Sequence, residues 1–215
     1  MNDHRTPSLA RAGTGTNTAA GLYDALVEKL RQQGTGDAAP RVGQPFPDFV
    51  LPDAWGQLRS LDALLARGPL VLSFNRGGWC PHCAYELRAW GNHHDALREA
   101  GGSLAVITPE VGGRATMLER LVGKDADLLC DVDLGLALSL GLAFYIGAPV
   151  QQRYREIGLD LAEIYGSDSG FLPVPATFVL DHAGVVRFAH CNPDFRIRAE
   201  PVDVIAIVRD IALSS

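Results

Sequence analysis

Two cysteines stand three residues apart, at positions 80 and 83, in the segment RGGWCPHCAYEL. An apolar run, PLVLSFN at residues 69–75, precedes them, and the periodicity of a helix follows. One helical turn separates their Cα atoms, which is close enough for a disulfide. A helix N-terminus favours a thiolate, because its unpaired N–H groups and its dipole are positive. Such a position lowers a thiol pKa from about 8.5 to roughly 3.5–7.5, so the pair has the setting for redox chemistry.

Three other roles for a close cysteine pair fit the sequence less well. Structural zinc needs two further ligands, whereas Cys130 and Cys191 stand alone and far apart. Haem attachment requires histidine directly after the second cysteine, where Ala84 stands. Two glycines, a tryptophan and a helix start are an unusual setting for an inert buried pair. We therefore favour redox catalysis, and we expect no metal or cofactor because the thiolate itself is the nucleophile.

Composition and charge narrow the class of protein. The chain has 215 residues, enough for one domain with additions, and a formal net charge of −6, which argues against nucleic acid as a partner. No apolar stretch approaches the length of a membrane span, and the N-terminus lacks the apolar core of a secretory signal. We therefore expect a cytoplasmic protein, in which thiols are kept reduced. In that compartment a CxxC pair is more often catalytic or metal-binding than structural.

Strands alternate with helices along most of the chain. The apolar runs at 69–75 and 103–109 are typical of buried parallel strands. Residues 175–190 predict two strands joined by a tight turn at His182-Ala183-Gly184, and Pro201 begins the last helix. This pattern predicts an α/β fold with a mixed central sheet and helices on both faces. Other predicted elements are an opening β element from residue 47, a short strand at DLLCD, and helices after the cysteines to Gly101, at 112–123, at LGLALSLGL and at 149–165.

Residues 1–40 are predicted to be an N-terminal region distinct from a domain at 41–213. Residues 1–19 lack periodicity and are predicted to be disordered. A short amphipathic helix begins near Leu22, and the Gly- and Pro-containing stretch at 34–40 is a linker. We interpret the helix as a flap packed on the domain. A contact between two copies of the chain, giving a homodimer, is the second interpretation.

Three segments together resemble a known family: FNRGGWCPHC, LPVPATFVLD and NPDFRIRAEPVDVI. They are similar to the peroxiredoxin-like, CxxC-containing branch of the alkyl hydroperoxide reductase/thiol-specific antioxidant family, over residues 41–212. The resemblance implies a thioredoxin-like fold, here with an N-terminal helical extension. It also implies a thiol peroxidase that reduces hydrogen peroxide or organic hydroperoxides and is restored by a thioredoxin-like reductant. In that cycle one cysteine becomes a sulfenic acid and the second condenses with it to a disulfide.

The active-site pattern of this chain departs from that of peroxiredoxins. When their signature PxxxTxxC is aligned on Cys83, the threonine falls on Cys80 and the proline on Arg76. The arginine that assists the peroxide falls near Pro175, where the sequence VPAT instead matches the cis-proline that faces CxxC in thioredoxins. Thioredoxins attack with the first cysteine, whereas the peroxiredoxin alignment favours the second. We expect Cys80 to attack as an exposed thiolate, because it lies at the helix start, and Cys83 to resolve.

Four neighbours of the pair have a functional and a plain interpretation. Arg76 either stabilises the thiolate or is a strand-end charge in solvent. Trp79 shields the site and offers a surface to a reductase, or simply packs. Glu86 matches the glutamate of the peroxiredoxin pattern, or is an exposed helical carboxylate. Pro175 shapes the substrate groove through a cis bond, or is a trans proline at a strand start.

The dipeptide between the cysteines suggests an alternative activity. Pro81-His82 is also the pair found in the bacterial periplasmic disulfide-forming oxidase, which the chain resembles in this detail alone. A protonated His82 would stabilise the thiolate and make the disulfide more oxidising. The alternative is therefore a thiol–disulfide oxidoreductase acting on protein or small-molecule disulfides. A third hypothesis is a redox-sensing module in which the pair only switches conformation.

Overall fold

A computed structural model describes residues 19–213 of the chain. The disorder predicted for residues 1–19 lies outside this range except at residue 19, where the first helix begins. The predicted amphipathic helix is α1, Ala19–Gln32. A hairpin of β1 (Val50–Pro52) and β2 (Leu58–Ser60) follows as the opening β element, with α2 (Leu61–Leu65) directly after it. Among the described residues, no helix is both long and apolar enough to cross a membrane.

The remaining elements form the larger part of the fold. The first half contains β3 (Leu70–Phe74), α3 (Pro81–Asn92), α4 (His94–Glu99), β4 (Ser103–Thr108), a 3-10 turn (Arg114–Leu118), α5 (Glu119–Val122) and β5 (Asp127–Cys130). The second half contains a 3-10 turn (Val132–Leu134), α6 (Gly135–Ser139), β6 (Ala143–Tyr145), α7 (Ala148–Glu156), α8 (Leu161–Tyr165), β7 (Phe171–Pro173), β8 (Ala176–Leu180), β9 (Val186–Cys191) and α9 (Pro201–Leu213).

The central sheet is mixed, as the sequence predicts. Its five strands have the order β5-β4-β3-β8-β9. The strands β3, β4 and β5 are parallel, whereas β8 is antiparallel to both β3 and β9. Every residue of β3 and β8 is buried, which explains their continuous apolar sequences. The parallel strands β3 and β4 end at the same edge of the sheet, and the cysteine pair follows that end of β3.

Helices cover both faces of this sheet. Successive side chains of a strand point to opposite faces, so Leu70, Leu72 and Phe74 contact one cluster of buried apolar residues and Val71 contacts the other. The first cluster receives side chains from α1, α2, α7 and α8. The second receives side chains from α3, α4, α5 and α9. The arrangement confirms the predicted α/β fold with helices on both faces.

The N-terminal helix is part of the core. Its residues Leu26, Val27 and Leu30 are buried, and two of them join the cluster that contains Phe74 of β3. The interpretation as a flap packed on the domain therefore describes α1 better than a surface kept free for a second copy. The division of the chain at residue 40 stays a prediction.

Several helices are shorter than their sequence patterns indicate. The helix predicted from the cysteines to Gly101 is broken at His93 into α3 and α4. The helix predicted at 112–123 begins as a 3-10 turn, and the one at 149–165 is two helices separated at Gly158, which has a positive φ of 77°. The predicted hairpin forms as β8 and β9, and the Asp181 carboxylate accepts hydrogen bonds from two backbone N–H groups of its turn.

Candidate active site

A strand and a helix together position the cysteine pair. The buried strand β3 delivers the chain to a short loop, and Cys80 is the N-cap residue of α3 with extended φ and ψ of −86° and 117°. Pro81 occupies the first turn, where its missing N–H removes a donor that has no helical partner. Cys83 follows three residues later, close to one full helical turn. The predicted strand-to-helix junction is therefore present, and Pro81 has a structural reason to stand there.

Both sulfurs lie inside the protein. Cys80 is 2% exposed and Cys83 0% exposed, so the prediction of an exposed thiolate is wrong. The reason is the segment after β9, which folds over the start of α3 and brings the ring of Phe195 to 5.7 Å from the ring of His82. The pair is also free of any disulfide in this structure.

The two thiols have opposite acidities because one donates to the other. The hydrogen bond from Cys83 lowers the pKa of Cys80 to about 6, and the positive charges of Arg76 and Arg198 add to this effect. Burial raises the pKa of Cys83, and its hydrogen bond to Cys80 raises it further. The pair therefore holds one proton and one negative charge near neutral pH, with the charge favoured on Cys80.

Two N–H donors nevertheless point at the sulfur of Cys83. The backbone N–H of Arg76 and Nη2 of Arg198 each lie 3.4 Å from Cys83 Sγ. Such donors stabilise negative charge on that sulfur, whereas its complete burial opposes it. Arg198 is a residue that the sequence analysis did not assign to the site. Its only signal was membership of the segment NPDFRIRAEPVDVI, and no local pattern marks it.

A buried polar chain continues from Arg198 to the end of β3. Nη1 of Arg198 forms an ion pair with Oε2 of Glu86, and Ser73 Oγ donates to Glu86 Oε1 at 3.2 Å. Asn75 Nδ2 donates in turn to Ser73 Oγ at 2.7 Å. Burial raises the pKa of Glu86 to about 7, against the opposing effect of Arg198. The interpretation of Glu86 as an exposed helical carboxylate is therefore wrong.

Arg76 is held between aromatic rings and not in solvent. It is 1% exposed, which excludes the strand-end charge that the sequence left open. Its guanidinium carbon lies 4.1 Å from the ring centroid of Phe195 and 5.4 Å from that of Phe144, and Nε donates to the carbonyl of Pro173 at 3.3 Å. The Tyr165 hydroxyl donates to the backbone carbonyl of Arg76 at 2.6 Å. The residue acts on the pair as a fixed buried charge.

Trp79 packs beside the pair. Its ring centroid lies 5.6 Å from that of Tyr154 and 6.3 Å from that of Tyr165, and the side chain is half-buried. Of the two roles that the sequence allowed for Trp79, the structure thus shows packing. A surface for a reductase on the exposed part of Trp79 stays a prediction.

His82 does not carry the charge that the alternative activity needs. Burial lowers the pKa of His82 below its usual 6.5, and the positive charge of Arg198 lowers it further. The imidazole is therefore neutral at neutral pH. It contacts Phe195 and supplies no positive charge to the thiolate.

Pro175 lies opposite the end of β3. It directly precedes Ala176, which pairs with Phe74, so it is close to the loop that leads to the cysteines. No cis peptide bond occurs among residues 19–213, so the peptide bond before Pro175 is trans. The resemblance to the cis-proline of thioredoxins therefore holds for the sequence but not for the isomer.

Glu110, which sequence analysis missed, supports the loop before the cysteines. Its carboxylate oxygen Oε1 accepts a hydrogen bond from the backbone N–H of Gly78 at 3.2 Å. Gly77 has a φ of +111°, and a Cβ added there would overlap the Glu110 carboxyl group. Burial raises the pKa of Glu110 to about 7. A signal was available, because Glu110 follows β4 and the carboxyl ends of neighbouring parallel strands meet at one edge of a sheet.

The remaining cysteines stand apart from the pair. Cys130 ends β5 and Cys191 ends β9, which are the two opposite edge strands of the sheet. Within the described part of the chain, no group of three or more His, Cys, Asp or Glu side chains could hold a metal ion. The site described above thus consists of two sulfurs, two arginines and two buried carboxyl groups.

Comparisons with known proteins show the family and the fold of the chain. A family model described as AhpC/TSA family matches residues 42–189. No protein of curated function matches the sequence. Three of the similar solved structures are peroxidoxin BcpB from Mycobacterium tuberculosis (23% identity, 80% of this chain and 98% of that chain, TM-score 0.62), reduced Prx3 in complex with hydrogen peroxide from Vibrio vulnificus (16%, 78% and 98%, 0.62) and reduced 2-Cys peroxiredoxin of Plasmodium vivax (17%, 80% and 82%, 0.56). At these identities the likeness to the structures shows the thioredoxin-like fold.

Proposed function

The chain belongs to the AhpC/TSA family, and from this premise we propose that it is a thiol peroxidase working through a dithiol–disulfide cycle of Cys80 and Cys83. Its substrates in this proposal are hydrogen peroxide or organic hydroperoxides. The observation that carries the proposal is the position of the pair at the start of α3, beside the buried Arg76 and with Nη2 of Arg198 3.4 Å from Cys83 Sγ. The proposed cycle needs no cofactor, because a thiolate is nucleophilic enough to attack a peroxide.

The oxidative step consumes the thiolate. The sulfur of Cys80 attacks one oxygen of the hydroperoxide, so an S–O bond forms and the O–O bond breaks. The departing oxygen leaves with the bonding electrons, takes a proton and becomes an alcohol or water. Cys80 is left as a sulfenic acid.

The second step forms the disulfide, and an external dithiol reverses it. The sulfur of Cys83 attacks the sulfenic sulfur of Cys80, and the hydroxyl group leaves with the thiol proton as water. A thioredoxin-like reductant then transfers two electrons by thiol–disulfide exchange and is itself oxidised. The predicted cytoplasmic location is part of this proposal, because that compartment keeps thiols reduced.

The choice of Cys80 as the attacking sulfur follows from its acidity. A pKa of about 6 leaves most of its population ionised at pH 7, whereas the thiol of Cys83 keeps its proton. The two N–H donors on Cys83 support the opposite assignment, which matches the peroxiredoxin alignment. A chemical trap separates these assignments. In Cys83→Ser, peroxide should produce a sulfenic acid on Cys80 that a dimedone probe captures; a sulfenic acid that forms only in Cys80→Ser would reverse the roles.

A coupled assay tests the proposed function. Peroxide consumption is measured with thioredoxin, thioredoxin reductase and NADPH, using wild type and single serine variants. We expect turnover in wild type, loss of turnover in Cys80→Ser and Cys83→Ser, and unchanged turnover in Cys130→Ser, which removes a cysteine on a distant edge strand. Peroxide reduction at the uncatalysed rate by the folded, reduced wild type would refute a peroxidase.

The second candidate function is a thiol–disulfide oxidoreductase. The low pKa of Cys80 favours it, since an acidic thiol is a good leaving group in exchange reactions. The neutral imidazole of His82 opposes a strongly oxidising version. Reduction of insulin disulfides without peroxide consumption would establish this function in place of the peroxidase.

A further inference from the structure

Two parts of the molecule around the pair lie outside the 42–189 region that matches the family. One is helix α1, and the other is the segment between β9 and α9, residues 192–200. The second part contains Arg198, whose Nη2 lies 3.4 Å from Cys83 Sγ. The two parts contact each other, so α1 is connected to the sulfur through this segment.

Ion pairs join α1 to the 192–200 segment. Arg196 Nη1 lies 2.7 Å from Asp24 Oδ1, and Arg31 Nη2 lies 3.5 Å from Asp194 Oδ2. Arg196 also donates from Nε and Nη2 to the two oxygens of Asp194, at 2.7 and 2.9 Å. These four residues form one network of alternating charge that spans both parts.

An aromatic contact lies beside this network. The ring of Tyr23 meets the ring of Phe195 edge-on, with centroids 5.9 Å apart, and lies 6.4 Å from the ring of Tyr154. Phe195 is buried, and the guanidinium of Arg76 lies 4.1 Å from its ring centroid. Tyr23 thus supports the ring that holds one of the two buried charges of the site.

The same segment sets the position of the second charge. Nε of Arg198 donates to the backbone carbonyl of Phe195 at 2.8 Å, while its two Nη atoms contact Glu86 and Cys83. Because the fork of a guanidinium is rigid, a displaced Phe195 carbonyl would turn the Nη atoms away from both partners.

We propose that Tyr23 and Asp24 of the N-terminal helix are positioning residues that hold the 192–198 segment so that Arg198 stays against Cys83. The inference rests on the proposed function, because it assigns a role toward the same dithiol. The helix can act as a fixed support, since Leu26, Val27 and Leu30 anchor it in the core. The ion pair of Asp24 is exposed and weak alone, so the aromatic contact and the ion pair act together.

The test is the pH profile of thiol alkylation, which needs no peroxide and no reductant. Reduced protein is treated with iodoacetamide between pH 4.5 and 9, and labelling of Cys80 and Cys83 is followed by mass spectrometry. In the double variant Tyr23→Ala/Asp24→Asn we expect the profile to move upward by about one pKa unit, with labelling about tenfold slower at pH 5. The other charged or titratable groups that face the pair keep their identity in this variant: Arg76, His82, Glu86, Glu110, Tyr154, Tyr165 and Arg198.

Matched variants show whether the shift arises from positioning. Lys29→Ala changes an exposed residue of the same helix, and Tyr23→Phe keeps the ring contact, so both should retain the wild-type profile. Arg198→Gln should move the profile at least as far as the double variant. An unchanged profile in the folded double variant overturns the proposal. If that variant does not fold, the milder double variant Tyr23→Leu/Asp24→Asn decides, since it also removes both contacts, and a profile identical to wild type overturns the proposal.

The outcome is separable from that of the proposed function. A wild type without peroxidase turnover, combined with the expected shift, would refute the peroxidase and support the positioning role. Full turnover combined with unshifted profiles in the folded variants would do the reverse.

Discussion

Replacing Arg198 with glutamine removes the positive charge that lies against Cys83 and leaves a neutral, polar amide in its place. The substitution deletes the Nη2 donor 3.4 Å from Cys83 Sγ and the ion pair with Glu86. The Arg76 N–H remains as a donor to the same sulfur. The variant therefore isolates the contribution of one buried cation to the ionisation of the cysteine pair.

The size of the effect follows from the contact that is lost. A hydrogen bond to a charged group contributes about 1.5–3 kcal/mol, which corresponds to roughly one to two pKa units. Because this donor contacts Cys83 and acts on Cys80 only through its charge, we expect the lower end of this range, a rise in the pKa of Cys80 from about 6 by roughly one unit. At pH 5 a rise of one unit reduces the thiolate population about tenfold, and at pH 7 about twofold.

The assay is the thiolate absorbance near 240 nm, titrated in reduced wild type and variant, with alkylation rates as a second readout. Arg88→Gln is the matched control, since Arg88 is an exposed arginine on α3. Urea unfolding of each variant at pH 6 shows whether it is folded; at that pH Glu86 keeps its proton and does not become an unpaired buried charge. A titration that coincides with wild type, or that moves to lower pH, would refute the electrostatic account of the site.

Two further predictions concern stability. Gly77→Ala should lower the free energy of unfolding by about 1–3 kcal/mol more than Gly43→Ala. Both glycines have a positive φ, but only at Gly77 would an added Cβ overlap the Glu110 side chain. Equal losses of stability in urea unfolding would contradict the overlap. The pKa of Glu86 is raised from 4.5 to about 7, so its contribution is fully present below pH 4.5 and is lost as pH rises through 7. The difference in free energy of unfolding between wild type and Glu86→Gln should therefore fall by about 2–3 kcal/mol between pH 5 and 8. A difference that stays constant with pH would be evidence against the raised pKa of Glu86.

The sequence predicts the elements that carry their own local signal. The apolar runs of β3 and β4, the turn at Gly184 and the helix starting at Pro201 all form where the pattern places them. Element lengths were harder to predict: Gly91 stands just before the break at His93, but the helical spacing of Leu87, Trp90, His94 and Leu97 continues across it. The pairing of β6 with β7 was missed because each strand has only three residues.

For the site, the sequence predicts the sulfur pair but not its surroundings. Cys80 and Cys83 are three residues apart in sequence, so one helical turn brings them close together. The contact between Arg198 and Cys83 joins residues 115 positions apart, and no periodicity encodes such a contact. The burial of Arg76 likewise depends on Phe144 and Phe195, which come from two distant segments. Long-range packing thus determines whether the charge of Arg76, next to the glycines, faces solvent or the interior.

Because the sulfurs are enclosed, the oxidative and the reductive halves of the proposed cycle need different access to them. A small peroxide needs only a narrow path to an atom that is 2% exposed, whereas exchange with a protein dithiol requires three sulfur atoms to come into line. A macromolecular electron donor can reach such alignment only after the chain around the start of α3 has moved aside. We therefore expect oxidation to proceed in the closed form and regeneration to include an opening step.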